Sequence, residues 1–140
     1  MMFSEEVQGV LHRAFAGARE VGHAIITPEH LALEIIFEDE TSAYLERCGT
    51  DLVAVESRLR AYLGRIEAHG DAEEEMKPTA MFQRIMAAAI ERTEADQREF
   101  LMIRDLFLAM VDERGSVASA AILEYTRDPE AFDELRAAGG

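Results

Sequence analysis

Residues 27–36 read Thr27-Pro28-Glu29-His30-Leu31-Ala32-Leu33-Glu34-Ile35-Ile36. Threonine, proline and glutamate in this order are typical of a helix start. The hydroxyl caps the first turn, proline suits the first helical position, and an acid favours the positive end of the helix. The residues that follow are apolar on most sides of a helix, which predicts a helix buried at the centre of the fold. The side chains expected inside are Leu31, Leu33, Ile35, Ile36 and Phe37.

A weaker copy of this pattern begins seventy-five residues later. It reads Met102-Ile103-Arg104-Asp105-Leu106-Phe107-Leu108-Ala109-Met110-Val111. The helix that precedes each copy matches at the same spacing, because Val7, Val10, Leu11, Ala14 and Phe15 correspond to Phe82, Ile85, Met86, Ala89 and Ile90. One helical pattern that occurs twice indicates a duplicated structural unit.

Helix start and stop signals complete the two units. In the first, Ser4 begins a helix that Gly22 ends, Thr41 or Ser42 opens a short helix that Gly49 closes, and Asp51 caps a fourth. In the second, helices are predicted to begin at Thr79, Ser116 and Asp128-Pro129-Glu130. No segment alternates apolar and polar residues, so no strand is predicted.

The predicted fold is all-α, with two tandem four-helix repeats packed around a pseudo-two-fold axis. Residues 1–140 form one domain. The first repeat covers about 3–66, a polar, acidic linker about 67–78, and the second repeat about 79–137. Each repeat is too small to cover its own apolar faces, so the two are expected to pack together.

Composition narrows the classes of partner. The net charge of −14 argues against nucleic acid and against an anionic membrane surface, which both need basic residues. It favours basic or polar protein partners, or serves solubility alone. No apolar run approaches the roughly 20 residues of a membrane helix. The single Cys48 cannot form an internal disulfide, which predicts a reducing, cytoplasmic location.

Motifs for catalysis are missing. The sequence has no glycine-rich phosphate loop, no G-x-S-x-G elbow and no H-E-x-x-H pair. Cys48 lies at a predicted helix end that disfavours a thiolate, so it is expected to be structural. His23 and His30 are seven residues apart, but Thr27-Pro28 starts a new helix between them. No metal site is therefore predicted, and His23 is the one residue considered for an adventitious ion. The methionines are expected in the core, or in small part at an adaptable peptide groove.

Four motifs in order carry a family resemblance that spans essentially the whole chain. They are Ala14-Phe15-Ala16-Gly17-Ala18-Arg19-Glu20 with His23, Thr27-Pro28-Glu29-His30-Leu31, Cys48-Gly49-Thr50-Asp51-Leu52-Val53-Ala54-Val55, and Lys77-Pro78-Thr79-Ala80-Met81-Phe82-Gln83-Arg84-Ile85. On these motifs the chain resembles the Clp N-terminal domain of the Clp/Hsp100 AAA+ unfoldases, and within that family it is most similar to the ClpA group.

The resemblance implies a docking module and not an enzyme. Such a domain belongs to the ATP-binding unfoldase subunit of an ATP-dependent Clp protease, and binds a ClpS-type adaptor and protein substrates for regulated proteolysis. It holds no cofactor of its own, because ATP and the ClpP protease are engaged by ATPase modules outside this chain. The isolated domain is expected to be a monomer.

The resemblance also implies which residues meet the adaptor. Carried over by position, they are Glu29 at the polar opening of the 27–36 helix, and Thr79, Gln83 and Arg84 at the start of the second repeat. Ala24 departs from the ClpA group, which has an acidic residue there.

The ClpC group, by resemblance, reads phosphoarginine through one glutamate in each repeat. Glu29 matches the first of these glutamates, but Arg104 replaces the second, so paired phosphoarginine recognition is not expected. The repeat is therefore predicted to be symmetric in fold and asymmetric in function.

An alternative stays open: a free-standing adaptor or regulator of the same family that lacks an ATPase ring. The sequence downstream of Gly140 in the parent reading frame would separate the two hypotheses. An enzymatic function built on Cys48 or on a zinc site is the third hypothesis, and thiol-reactivity assays and metal analysis test it.

Overall fold

The computed structural model describes residues 1–68 and 75–138. The first half contains β1 (Met2–Phe3), α1 (Glu5–Glu20), β2 (Ile25–Ile26), α2 (Pro28–Ile35), α3 (Asp39–Arg47) and α4 (Leu52–Leu63). The second half contains β3 (Lys77–Pro78), α5 (Ala80–Ala95), β4 (Phe100–Leu101), α6 (Ile103–Asp112), α7 (Val117–Glu124) and α8 (Ala131–Ala138). The predicted all-α class and the two four-helix repeats are confirmed.

The helix caps follow the sequence signals in both repeats. The Val7 N–H donates to the Ser4 hydroxyl at 3.2 Å, and the Phe82 N–H donates to the Thr79 hydroxyl at 3.2 Å. These two bonds occupy matched positions, so α1 and α5 begin in the same way and both are 16 residues long. Thr27 likewise caps α2, as predicted.

The prediction of no strands is wrong, because within residues 1–68 and 75–138 four two-residue strands join the halves in two parallel pairs. β1 pairs with β4 in the register Met2 to Phe100, and β2 pairs with β3 in the register Ile25 to Lys77. At the repeat offset of seventy-five, Met2 corresponds to Lys77 and Ile25 corresponds to Phe100. A two-fold rotation that exchanges the repeats therefore also exchanges the two strand pairs. Strands of two residues are too short to show an alternating pattern in sequence.

The pseudo-two-fold axis passes close to Thr50 and Thr126. Their hydroxyl oxygens lie 2.7 Å apart and both residues are buried. The Asp51 N–H donates to the carbonyl of Tyr125. The matched bond, from the N–H of Arg127 to the carbonyl of the residue before Thr50, completes an antiparallel bridge between the repeats.

The core is built around α2 and α6. α2 contacts α1, α4, α5, α6 and α7, which places it between the repeats. Leu31, Ile35 and Ile36 are fully buried, as predicted, but Leu33 is half-buried and Phe37 is 48% exposed. The prediction for Phe37 is wrong because α2 ends at Ile35, so Phe37 lies in the turn that follows Ile36 and not on a buried helix face.

Three predicted boundaries also change. α3 begins at Asp39 and not at Thr41 or Ser42, since two acidic residues open its first turn and favour the positive helix end. α8 begins at Ala131, one turn after Asp128. The predicted linker is shorter than 67–78, because its last two residues form β3. Residues 69–74 of that linker lie outside the described residues.

Two glycines, one with a positive φ and one inside a helix, should respond oppositely to substitution by alanine. Gly49 has φ +78°, as its predicted role as a helix terminator requires, and a Cβ there would lie 2.8 Å from the Cβ of Arg127. Gly49→Ala should therefore lower the free energy of unfolding by about 1–3 kcal/mol. Gly17→Ala should raise it by about 0.5 kcal/mol, because Gly17 is helical and a Cβ there meets no atom within 4 Å. Urea unfolding of both variants measures the difference, and equal effects would contradict this account.

Candidate functional site

Glu29 is buried and connects the repeats. Its side chain lies in the first turn of α2, it is 2% exposed, and its carboxylate accepts the N–H of Ala118 at 2.9 Å in the first turn of α7. Burial raises the pKa of Glu29, against the opposing effect of the N–H donors. The expectation that Glu29 faces a partner is therefore corrected: the carboxylate caps a helix of the other repeat.

The other three residues implied by the resemblance lie together at the start of α5. Thr79 is half-buried and caps the helix, whereas Gln83 and Arg84 are exposed. The side-chain amide of Gln83 donates to the Pro78 carbonyl at 3.2 Å. The guanidinium of Arg84 pairs with Glu113, with its Nη2 3.0 Å from Oε1. Their role in binding stays a prediction.

His23 and His30 are in contact, although the helix start between them predicted that they would not share a face. α2 does begin between them, as predicted, but His23 Nδ1 lies 2.9 Å from His30 Nε2. The Thr27 N–H donates to His30 Nδ1 at 3.0 Å, so a neutral His30 carries its proton on Nε2 and donates it to His23. Burial lowers the pKa of His23, and burial together with the charge of His23 lowers the pKa of His30 to about 4.

The second repeat has an ion pair in the matched place. Arg98 and Asp105 stand seventy-five positions after His23 and His30, and their side chains form two hydrogen bonds, one of them at 2.9 Å. Asp105 also accepts the Met102 N–H at 2.8 Å, as His30 accepts that of Thr27. Burial raises the pKa of Asp105, but the bonds from Arg98 and Met102 outweigh it and the net shift is downward.

A groove of about 410 Å³ lies between α1, α2 and α4 of the first repeat. The His23–His30 pair lines one part of it. The apolar part is lined by Ala14, Ala18, Val21, Leu33, Phe37 and Leu63. Val21 and Phe37 are themselves exposed, at 57% and 48%. No local sequence pattern predicts this groove, because its lining comes from three helices that meet only in the fold.

The remaining candidate residues have structural surroundings. Cys48 is buried, and burial raises the pKa of its thiol, which disfavours a thiolate. Among the described residues, no three His, Cys, Asp or Glu side chains are arranged to hold a metal ion. Met110 is buried and Met86 packs against the core, whereas Met102 is exposed. Over the described ranges, no helix is long and apolar enough to cross a membrane.

Comparisons with known proteins agree on one family. The family model described as the Clp repeat (R) N-terminal domain matches residues 2–125. A relative from Fuscovulum blasticum, described as a ClpA homolog protein, is 27% identical over 137 residues. That match covers 95% of this chain but 17% of the relative, so the chain spans about a sixth of the relative's length.

Solved structures show the same fold at low identity. The N-terminal domain of Hsp104 from Candida albicans has a TM-score of 0.81 at 12% identity, covering 98% of this chain and 89% of that one. The N-terminal domain of the ClpV1 ATPase from E. coli gives 0.68 at 17%, covering 94% and 86%. That of ClpD from Arabidopsis thaliana gives 0.69 at 15%, covering 98% and 94%.

The His23–His30 pair predicts an acid-sensitive contribution to stability. The pKa of His30 is lowered from 6.5 to about 4 in the folded chain, so the stabilisation is present above pH 6.5 and is lost as the pH falls toward 4. His30→Gln removes this titration and can keep the bond from the Thr27 N–H. Between pH 7 and pH 5, the variant should lose about 1–2 kcal/mol less of its unfolding free energy than the wild type.

Urea unfolding at the two pH values measures this difference. His12→Gln is the matched control, because His12 is exposed on α1. An unchanged pH dependence in His30→Gln, or an equal change in His12→Gln, would contradict the assignment.

Proposed function

The chain belongs to the family of Clp repeat N-terminal domains, and on that premise we propose that it is the docking module of a ClpA-type unfoldase subunit. In this function it binds a ClpS-type adaptor and protein substrates, and passes them on for regulated proteolysis. ATP and the ClpP protease are engaged by modules outside this chain. The domain itself is non-catalytic, and we place the protein in the cytoplasm because its single Cys48 suits a reducing compartment.

The observation that carries the proposal is the exposed turn at the start of α5. Gln83 and Arg84 both reach the surface there, and Arg84 pairs with Glu113 in an ion pair whose arginine side chain is 55% exposed. Surface ion pairs contribute little to stability, so the guanidinium can exchange Glu113 for a carboxylate or carbonyl of a partner. The relative described as a ClpA homolog supports the ClpA-type assignment.

The electrostatics of the chain suit a docking role. The net charge of −14 attracts a partner with a basic surface and accelerates the encounter at low salt. Arg84 is one of 14 basic residues in the chain, so a contact with it is distinctive within a largely acidic surface. Overall charge would then govern the rate of association, and the α5 turn would fix the orientation of the partner.

Charge reversal at Arg84 tests this proposal. Arg84→Glu should weaken binding of a purified ClpS-type adaptor at least tenfold, about 1.4 kcal/mol, because it places an anion where the partner meets a cation. Gln83→Ala should cause a smaller loss. Isothermal titration calorimetry measures both dissociation constants.

The matched control is Arg58→Glu. Arg58 is also exposed and paired with one glutamate, Glu124, so its reversal changes the net charge equally at a different surface. Glu29 is not a suitable target, since its substitution would disturb the core. Absence of any complex with the wild type, or an equal loss of affinity in Arg58→Glu, would overturn the proposal.

A further inference from the structure

The fourth helix of each repeat is attached to the fold to a different extent. α4 of the first repeat is 12 residues long and packs against α2, α3 and α7. α8 of the second repeat is 8 residues long, and within the described ranges it makes no comparably extensive contact with another helix. Of residues 131–138, all of which the structure describes, Phe132 alone is buried. α8 is therefore held to the fold at a few points instead of along its length.

The first anchor of α8 is an aromatic cluster that joins both repeats. The ring centroid of Phe132 lies 5.3 Å from that of Phe107 on α6 and 6.1 Å from that of Tyr44 on α3. The Tyr44 hydroxyl donates to the carbonyl of Ala131 at 3.1 Å. Because the Phe132 side chain is 1% exposed, burial of its ring supplies most of the attraction that holds the helix in place.

The second anchor is polar and lies at the other end of α8. Arg92 on α5 donates from its Nη2 to the carbonyl of Arg136 at 2.8 Å, and the guanidinium of Arg136 pairs with Asp112 at the end of α6. The side chain of Asp112 is 51% exposed, and exposed ion pairs contribute little to stability. This end of the helix is thus weakly held.

The chain between α7 and α8 can serve as a hinge. Asp128 and Glu130 are exposed, and the intervening Pro129 is half-buried. Before this segment, the bridge between Thr50 and Thr126 fixes the end of α7 to the first repeat. A movement of α8 about residues 128–130 therefore breaks its two anchors and leaves the bridge between the repeats intact.

The segment that carries α8 runs past Cys48, the single cysteine of the chain. The Asp128 N–H donates to the carbonyl of Cys48 at 3.0 Å, and Tyr44, which bonds to Ala131, lies one turn before Cys48 on α3. Burial raises the pKa of the Cys48 thiol, the Tyr44 hydroxyl opposes this shift, and the charges of Asp128 and Glu134 add to it. The thiol, which is 5% exposed, thus lies close to the start of α8.

We propose that α8 is a latch, which opens and closes as one unit about residues 128–130 while the rest of both repeats stays folded. When it is closed, it shields the Cys48 thiol and the aromatic pair of Tyr44 and Phe107. Local openings of this kind require less free energy than global unfolding. The latch residues do not include Thr79, Gln83 or Arg84, so the inference does not rest on the adaptor surface.

Thiol labelling and amide exchange under native conditions measure the opening of the wild-type chain. Cys48 should react with the aromatic disulfide dithiobis(nitrobenzoic acid), and the amides of α8 should exchange, with one common opening constant. That constant should be about 100-fold or more above the opening constant of the slowest amides of α2. A short unfolded peptide that contains cysteine gives the unprotected labelling rate. Equal opening constants for Cys48 and for α2 would overturn the proposal.

Substitutions in the body and in the latch separate local from global opening. Val10 is fully buried on α1, so Val10→Ala should raise the opening constant of α2 about tenfold or more and leave those of Cys48 and α8 unchanged. Phe132→Ala removes the aromatic anchor and should raise the opening constant of Cys48 about tenfold or more. An equal increase for Cys48 and α2 in Val10→Ala would show that α8 opens only with the whole domain, and would overturn the proposal.

Asp112→Asn tests the polar anchor in a chain whose core is unchanged. It should raise the opening constant of Cys48 about threefold, because it removes the exposed pair with Arg136. Glu124→Gln is the matched control, since Glu124 is also exposed and pairs with Arg58 on α4, and the change in charge is the same. An unchanged opening constant in both Asp112→Asn and Phe132→Ala, or an equal increase in Glu124→Gln, would refute the latch.

Discussion

The apolar surface of α2 (Pro28–Ile35) is too large for its own repeat to cover, and the rest of the structure follows from how it is buried. α2 contacts α1 and α4 of the first repeat, and α5, α6 and α7 of the second. The second repeat therefore completes the cover, and α6 (Ile103–Asp112) occupies the matched place within it. Hydrogen bonds also join the two repeats. Each strand pairs with a strand of the other repeat, and the Ala118 N–H donates to Glu29.

Much of this architecture can be predicted from sequence because its signals are local. Each helix cap depends on residues within one turn, as at Ser4, Thr27, Asp51 and Thr79. The apolar spacing of α1 recurs in α5 seventy-five residues later, which shows the duplication. The two-residue strands are not predictable in this way, because their hydrogen bonds depend on a partner in the other repeat. The exposure of Phe37 depends on where α2 stops, which its apolar pattern does not show.

The candidate sites likewise differ in whether local sequence predicts their positions. The surface positions of Gln83 and Arg84 follow from the start of α5, which the sequence shows. The carboxylate of Glu29 is buried against the N–H of Ala118, 89 residues later in the chain. His23 contacts His30 although a helix begins between them. Neither contact can be predicted from local sequence. The sequence contains one further signal, in the residues that stand seventy-five positions apart. Gly17 corresponds to Arg92, His23 to Arg98, and His30 to Asp105. Those pairs mark where the repeats have diverged.

A shared core lets the surfaces diverge, provided that the repeats fold as one unit. Native-state amide hydrogen exchange tests this condition most directly. The slowest amides of α2 and of α6 should exchange with the same free energy of opening, equal to that of global unfolding, because neither helix stays covered when the other repeat opens. A lower opening free energy for one of these helices, with the other still protected, would contradict the account.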